Sequence, residues 1–313
     1  MSDYDQTAVP SVTDVRASEL LRTGFRAGHP LSIVAQNLGL LTEFQGNWRG
    51  TGFNITARPF FGSKPPFFLE LNATQETLDV TAISGDIPNR GSEQPDINLH
   101  GLRYLQQVTD VVTNSGIHIE PGLWLHVPAT AAPPAGDTYV RQATIPHGDS
   151  LIAQSWFAGV VEGIPQIAPV DSTPFTDTIP ALNSEPINPI IDPVYLAQYN
   201  DSPLPPTGMP PGLNARRTIR NPALVLKAAI AGQKIVSSVV LKISTVAPAG
   251  GILNIPFVTR NANAAQMDAI FWLEKVEHTN GQHFMQLQYV QRVILEFDSI
   301  RWPHFSVATL VRI

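Results

Sequence analysis

"RWPHFSVATLVRI", Arg301 to Ile313, closes the chain, and its reading decides the fold. From His304 the residues alternate. His304, Ser306, Ala308, Leu310 and Arg312 fall on one side, and Phe305, Val307, Thr309, Val311 and Ile313 on the other. A period of two is the signature of a strand. One face is bulky and apolar. The other is headed by a histidine and continues with small side chains, an unusual way to begin a strand face.

Working outward, the same period recurs. "SSVVLKISTV" (237–246), "MDAIFWLEKVE" (267–277) and "HFMQLQYVQRVILEF" (283–297) precede the terminal strand, and the "NG" in "HTNGQ" between the last two is a hairpin signal. Toward the N-terminus, "WRGTGFNITARPF", "FFLELNATQETLDVTAI", "LRYLQQVTDVV", "GIHIEPGLWLHV", "TYVRQATI" and "DSLIAQSW" follow one another between residues 48 and 156, separated by Gly, Pro and Asn. Evenly spaced short strands predict an all-β fold, an antiparallel up-and-down closed barrel of about ten strands. Closure removes exposed edges and leaves an interior able to hold a ligand.

Between these strand blocks, residues 163–222 hold 13 of the 28 prolines. Proline removes a ladder donor, so this stretch is not central sheet. We expect an insertion over 161–234 that packs on the barrel's outer wall or mouth, with a short helix at "NPALVLKAAIAGQKI" capped by Asn221. The expected organisation is an arm and short helix over 1–40 ("SELLRTGF", "PLSIVAQNLGLL"), barrel strands over 41–160, the insertion, and the remaining barrel strands over 235–313.

Composition narrows the function. The chain has 313 residues, 43% of them hydrophobic and 15% charged, with 20 basic against 26 acidic residues. No Lys/Arg run accompanies the net charge of −6, which disfavours nucleic acid. The absence of cysteine removes thiolate chemistry and Cys-ligated metals. No apolar run approaches the ~20 residues of a membrane-spanning helix, and "MSDYDQTAVP" carries no secretory pattern, so a soluble cytoplasmic protein is the expectation. No Gly-x-Ser-x-Gly elbow appears. Glu70, Glu76, Asp79 and Glu120 could supply paired carboxylates, but no pair is selected by the sequence. "GGILN" (250–254) is a turn, because no Lys-Ser/Thr follows it.

Gly46, Trp48, Gly50 and Gly52 in "FQGNWRGTGF" form a G-x-W-x-G-x-G pattern. "GIHIEPGLWL", "YVRQATIPHGDSLIAQ" and "ILEFDSIRWPHFSVATLVRI" follow in order. Together they resemble the nitrobindin family, the haem-binding branch of the lipocalin and fatty-acid-binding-protein barrels. The resemblance spans residues 40–156 and roughly 235–313 and omits the insertion. It implies a b-type haem whose iron is held by His304 as proximal ligand, with His118 across the pocket. Ser306 and Ala308 would leave room for the macrocycle, and Arg90 in "IPNRGSEQPDINL" would meet a propionate. A histidine-ligated haem suits binding of NO or O₂, or action on peroxide or peroxynitrite. For Arg90 a tight turn at Gly91 is the plainer alternative, and for His118 simple pairing with Glu120. His147 is assigned to a turn, Trp48 to the barrel base, and Trp124, Trp272 and Trp302 to core. Two other functions stay open: a carrier of a hydrophobic small molecule, and a metal-free cyclase or isomerase acting on one. A homodimer is an open possibility.

Overall fold

The computed structural model describes residues 29–313 apart from residue 187. The helix expected at 18–25 lies outside the described residues. A short helix α1 (Leu31–Leu38) runs into a 3₁₀ turn (Gly39–Phe44). Ten long strands follow: β1 (Gly46–Pro59), β2 (Phe67–Ala82), β3 (Ile97–Asp110), β4 (Gly116–Val127), β5 (Thr138–Ile145), β6 (Asp149–Glu162), β7 (Lys234–Ser244), β8 (Asn263–Glu277), β9 (His283–Phe297) and β10 (Ile300–Arg312). Each pairs antiparallel with the next, and β10 pairs back onto β1, from Trp48 opposite Arg312 to Ile55 opposite Phe305. The fold is a closed antiparallel up-and-down barrel.

The glycines of the first strand explain the closure. A Cβ at Gly50 would lie 2.0 Å from the Thr309 carbonyl oxygen, and one at Gly52 2.3 Å from that of Val307. Only glycine lets β1 come this close to β10. One end of the barrel is stopped. Leu38, Leu41 and Phe44 enter from α1 and the 3₁₀ turn and pack on Trp48, Trp124 and Phe271. The Trp48 indole donates to the Phe44 carbonyl at 2.9 Å, so this buried tryptophan is satisfied as well as packed.

The insertion, residues 163–233, carries α2 (Pro193–Asp201), α3 (Ala215–Arg220) and α4 (Ala223–Ala229). Its Ile167, Val170, Tyr199, Ile219 and Leu226 form a second core against the barrel's outer face. That face is built by Phe53 and Ile55 of β1, Trp272 of β8, Val290 of β9, and Phe305 and Val307 of β10. Asn221 does not cap α4. Its side chain instead accepts from the Val170 N–H at 3.2 Å, tying two parts of the insertion together. Asn214 caps the preceding helix, accepting from Arg217 N–H at 3.0 Å. A last short helix, α5 (Pro256–Asn261), lies between β7 and β8. No helix among the described residues is long and apolar enough to cross a membrane.

Candidate functional site

Alternation carries the even residues of β10 and β1 into the lumen: His304, Ser306, Ala308 and Leu310 on one strand, Trp48, Gly50, Gly52 and Asn54 on the other. Above the aromatic stopper the lumen is crossed by a polar layer. Glu76 on β2 accepts from the Tyr289 hydroxyl of β9 at 2.7 Å, from Gln106 Nε2 of β3 at 3.2 Å and from Thr74 Oγ1 at 2.9 Å. Glu120 on β4 accepts from the Tyr104 hydroxyl, from the Arg141 guanidinium and, at 3.3 Å, from His118. Arg141 also donates to Tyr104 Oη at 3.0 Å and reaches Gln291 Oε1 on β9 at 2.6 Å. Because β3 and β5 are not neighbours of β9, the Gln106–Tyr289 and Arg141–Gln291 bonds span the lumen and form a floor.

The floor's charges are set by its pairing. Burial works to raise the Glu120 carboxyl, but the Arg141 guanidinium and then His118 outweigh it and hold it at about 2. Burial works against the Arg141 cation, and Glu120 more than offsets it, so the guanidinium is held charged. Glu76 has hydroxyl and amide donors but no cation in contact. Burial raises its carboxyl above the usual range, against the bonds from Tyr289, Thr74 and Gln106.

Above the floor lies a second polar cluster. His304 Nε2 lies 2.8 Å from Asn54 Oδ1, and the Ser306 hydroxyl donates to the same oxygen at 3.0 Å. Asn54 Nδ2 donates to Asn72 Oδ1 at 3.2 Å, and Asn72 Nδ2 to Asp110 Oδ2 at 3.0 Å. Burial, then the nearby His118 and His147, push His304 down to about 3, so it is neutral at neutral pH. Yet His304, Ser306 and Asn54 keep accessible surface. The wall is mixed: Val293 stands beside His304 in register on β9, and Ile145 is a further half-buried apolar residue of the same barrel core.

The structure therefore brings His304, Ser306 and His118 to one lumen. It adds His147, assigned from the sequence to a simple turn. That residue does sit in the β5–β6 turn, but its ring lies 5.7 Å from that of His118. Two of the expected site residues sit elsewhere. Arg90 lies on an exposed loop between β2 and β3, at the stoppered end, paired with Asp96. Ala308 is 0% exposed and stands in register with Tyr289, so its small side chain serves packing rather than open space. Trp124 joins the stopper, while Trp272 and Trp302 lie in the outer core. Sequence reasoning missed Arg141, Tyr104, Tyr289, Gln106, Asn54, Asn72 and Asp110. One signal was available for Arg141: it shares its strand face with Tyr139 and Ala143, so an arginine occupies an otherwise apolar alternating side.

The nitrogen that would meet iron, Nε2 of His304, is turned onto an amide oxygen, and the adjoining wall is lined by asparagine, serine and threonine side chains. A haem on His304 would require Asn54 to be displaced from Nε2. No group of three or more His, Asp or Glu able to hold a metal ion occurs among the described residues.

No family model matches the chain, and no curated protein matches it. Among solved structures it is similar to the crystal structure of Rv2717c from M. tuberculosis, at 13% identity and a TM-score of 0.41, over 88% of this chain and 97% of that one.

Proposed function

We propose that this chain is a ligand-binding barrel protein that takes a small molecule into the upper chamber, against His304, Asn54 and Ser306. The observation that supports it is the neutral imidazole, deep in the lumen and still accessible. A histidine that merely stabilised packing would have no open space before it. The test is paramagnetic relaxation with the small uncharged nitroxide TEMPOL. We expect it to broaden the ring signals of His304 in the wild type and to spare them in Ser306→Trp, which fills the chamber. Sharp His304 signals in the wild type at saturating nitroxide would dismiss the proposal.

A second reading, a b-type haem on His304 in the manner of the nitrobindins, is favoured by the same neutral imidazole. It requires Asn54 to leave Nε2. Titration with haemin tests it: a Soret shift in the wild type that is lost in His304→Ala supports it, and identical titrations of the two proteins remove it.

A further inference from the structure

The direction of the hydrogen bonds leading to His304 is fixed from one end. Asp110 accepts from Thr113 N–H at 2.6 Å, from Thr113 Oγ1 at 2.8 Å and from Asn72. Burial would raise its carboxyl, but these bonds outweigh it and hold it below its usual value, so the carboxylate only accepts. Asn72 must then turn its NH₂ to Asp110 and its carbonyl to Asn54. Asn54 must in turn give its NH₂ to Asn72, leaving its own oxygen to His304 and Ser306. An amide oxygen cannot donate, so the proton of neutral His304 sits on Nε2 and the lone pair on Nδ1. The carboxylate at the head of the relay thus selects the tautomer of a histidine on the far strand.

His118 is fixed in the same way. Its Nε2 faces the ionised Glu120, so in the neutral ring Nε2 carries the proton and Nδ1 the lone pair. His147 spends its N–H on the Ile117 carbonyl. The donors of Tyr104, Tyr289, Gln106, Thr74 and Arg141 run to Glu76, Glu120, each other or Gln291. Against this stands the Gln291 amide N–H, whose oxygen is taken by Arg141. Among these groups Asp110 and Glu120 against Arg141 leave a negative balance, to which Glu76 adds when ionised. Arg58, a further cation acting on His147, is paired with Glu70 at 2.6 Å.

We propose, resting on the reading of this chamber as a ligand site, that its ligand is an amphipathic protonated amine, whose N–H groups meet the Nδ1 lone pairs of His304 and His118 while its apolar part lies toward Val293 and Ile145. A carboxylate, whether of a fatty acid or of a haem propionate, would meet acceptors in a negative field.

The test has two parts, both on the full chain. Long-range ¹H–¹⁵N spectra at pH 7 should show His304 and His118 as Nε2–H tautomers, and Asp110→Asn should release His304 to a tautomer mixture. An Nδ1–H tautomer for His304 in the wild type overturns the relay and the inference with it. The probes 2-phenylethylammonium and 3-phenylpropionate, alike in shape and opposite in charge, are then titrated while the His304 and His118 Nδ1 resonances are followed. The ammonium should bind about tenfold or more tightly than the carboxylate, equivalent to about 1.4 kcal/mol. Equal or tighter carboxylate binding overturns the amine assignment and leaves the ligand site standing. If neither probe moves the histidines, the amine inference falls, and TEMPOL broadening then tells whether the chamber itself is open.

Discussion

The barrel buries polar side chains on both faces of its wall, and the two faces treat them differently. Inside, the two carboxylates of the floor are answered: Glu120 by Arg141, Tyr104 and His118, and Glu76 by Tyr289, Gln106 and Thr74. Outside, under the insertion, Glu274 is 0% exposed and bonded to Gln286 Nε2 at 2.6 Å, yet its second oxygen has no partner. The Ser238 hydroxyl, opposite it in register, and the Gln288 carbonyl oxygen are likewise buried without partners. A fully bonded network holds one arrangement, whereas orphaned groups favour any movement that brings them water. The floor is therefore built to hold a geometry, and the joint between insertion and barrel is built less tightly.

The largest effect should come from breaking the satisfied side. Arg141→Met leaves Glu120 buried without its cation and should cost about 3–5 kcal/mol in urea denaturation. A loss below about 1 kcal/mol would mean that Glu120 is hydrated and the floor is open to water.

The next effect sharpens the contrast through pH. Burial, only partly offset by Gln286, pushes Glu274 up to about 7 from its usual 4.5. A raised acid favours the neutral form in the fold. Its stabilising share is complete below about 4.5 and disappears as pH rises through about 7, a change of about 3 kcal/mol at about 1.36 kcal/mol per pKa unit. Wild type should lose stability relative to Glu274→Gln between pH 5 and pH 8, with hydrogen exchange in α4 and residues 230–233 rising in parallel. Parallel pH profiles for the two proteins would show that Glu274 does not titrate in the joint.

The smallest effect is expected from Tyr289→Phe, which removes one donor of several at Glu76 and should cost about 1 kcal/mol. Because Glu76 then binds its proton more firmly, the loss should grow as pH rises. A variant as stable as wild type throughout would mean that water replaces the hydroxyl.

Much of the fold was legible in the sequence. Alternation from His304 onward identified the last strand, the glycines around Trp48 marked the first, and the prolines marked what lies outside the sheet. The polar floor was not legible. Period two tells which side of its strand Glu76 occupies, but not that Tyr289, three strands away around the barrel, reaches across to it. The carboxylates were visible, while the selection of Tyr289 as partner depends on barrel curvature, and that of Arg141 on the register between neighbouring strands. The same limit hid Asn54 behind His304. Nothing local in "GFNIT" announces that this amide sets the protonation of a ring some 250 positions on. The placement of Arg90 failed for a related reason: a turn at either end of a barrel has the same sequence signature.

The insertion has a consequence for how long the molecule stays folded once formed. It lies across the line where the first and last strands meet, with Phe53 and Ile55 on one side of that line and Phe305 and Val307 on the other in a single apolar cluster. Pairing of β1 with β10 joins the most distant parts of the chain and is slow to form, because the whole intervening length must first be closed into a loop. It is also where a barrel would otherwise come unzipped. With residues 163–233 strapped over it, the strands cannot separate until the strap has peeled away. The proline-rich segment acts as a bandage on the closure, setting the rate of opening more than the balance between open and closed.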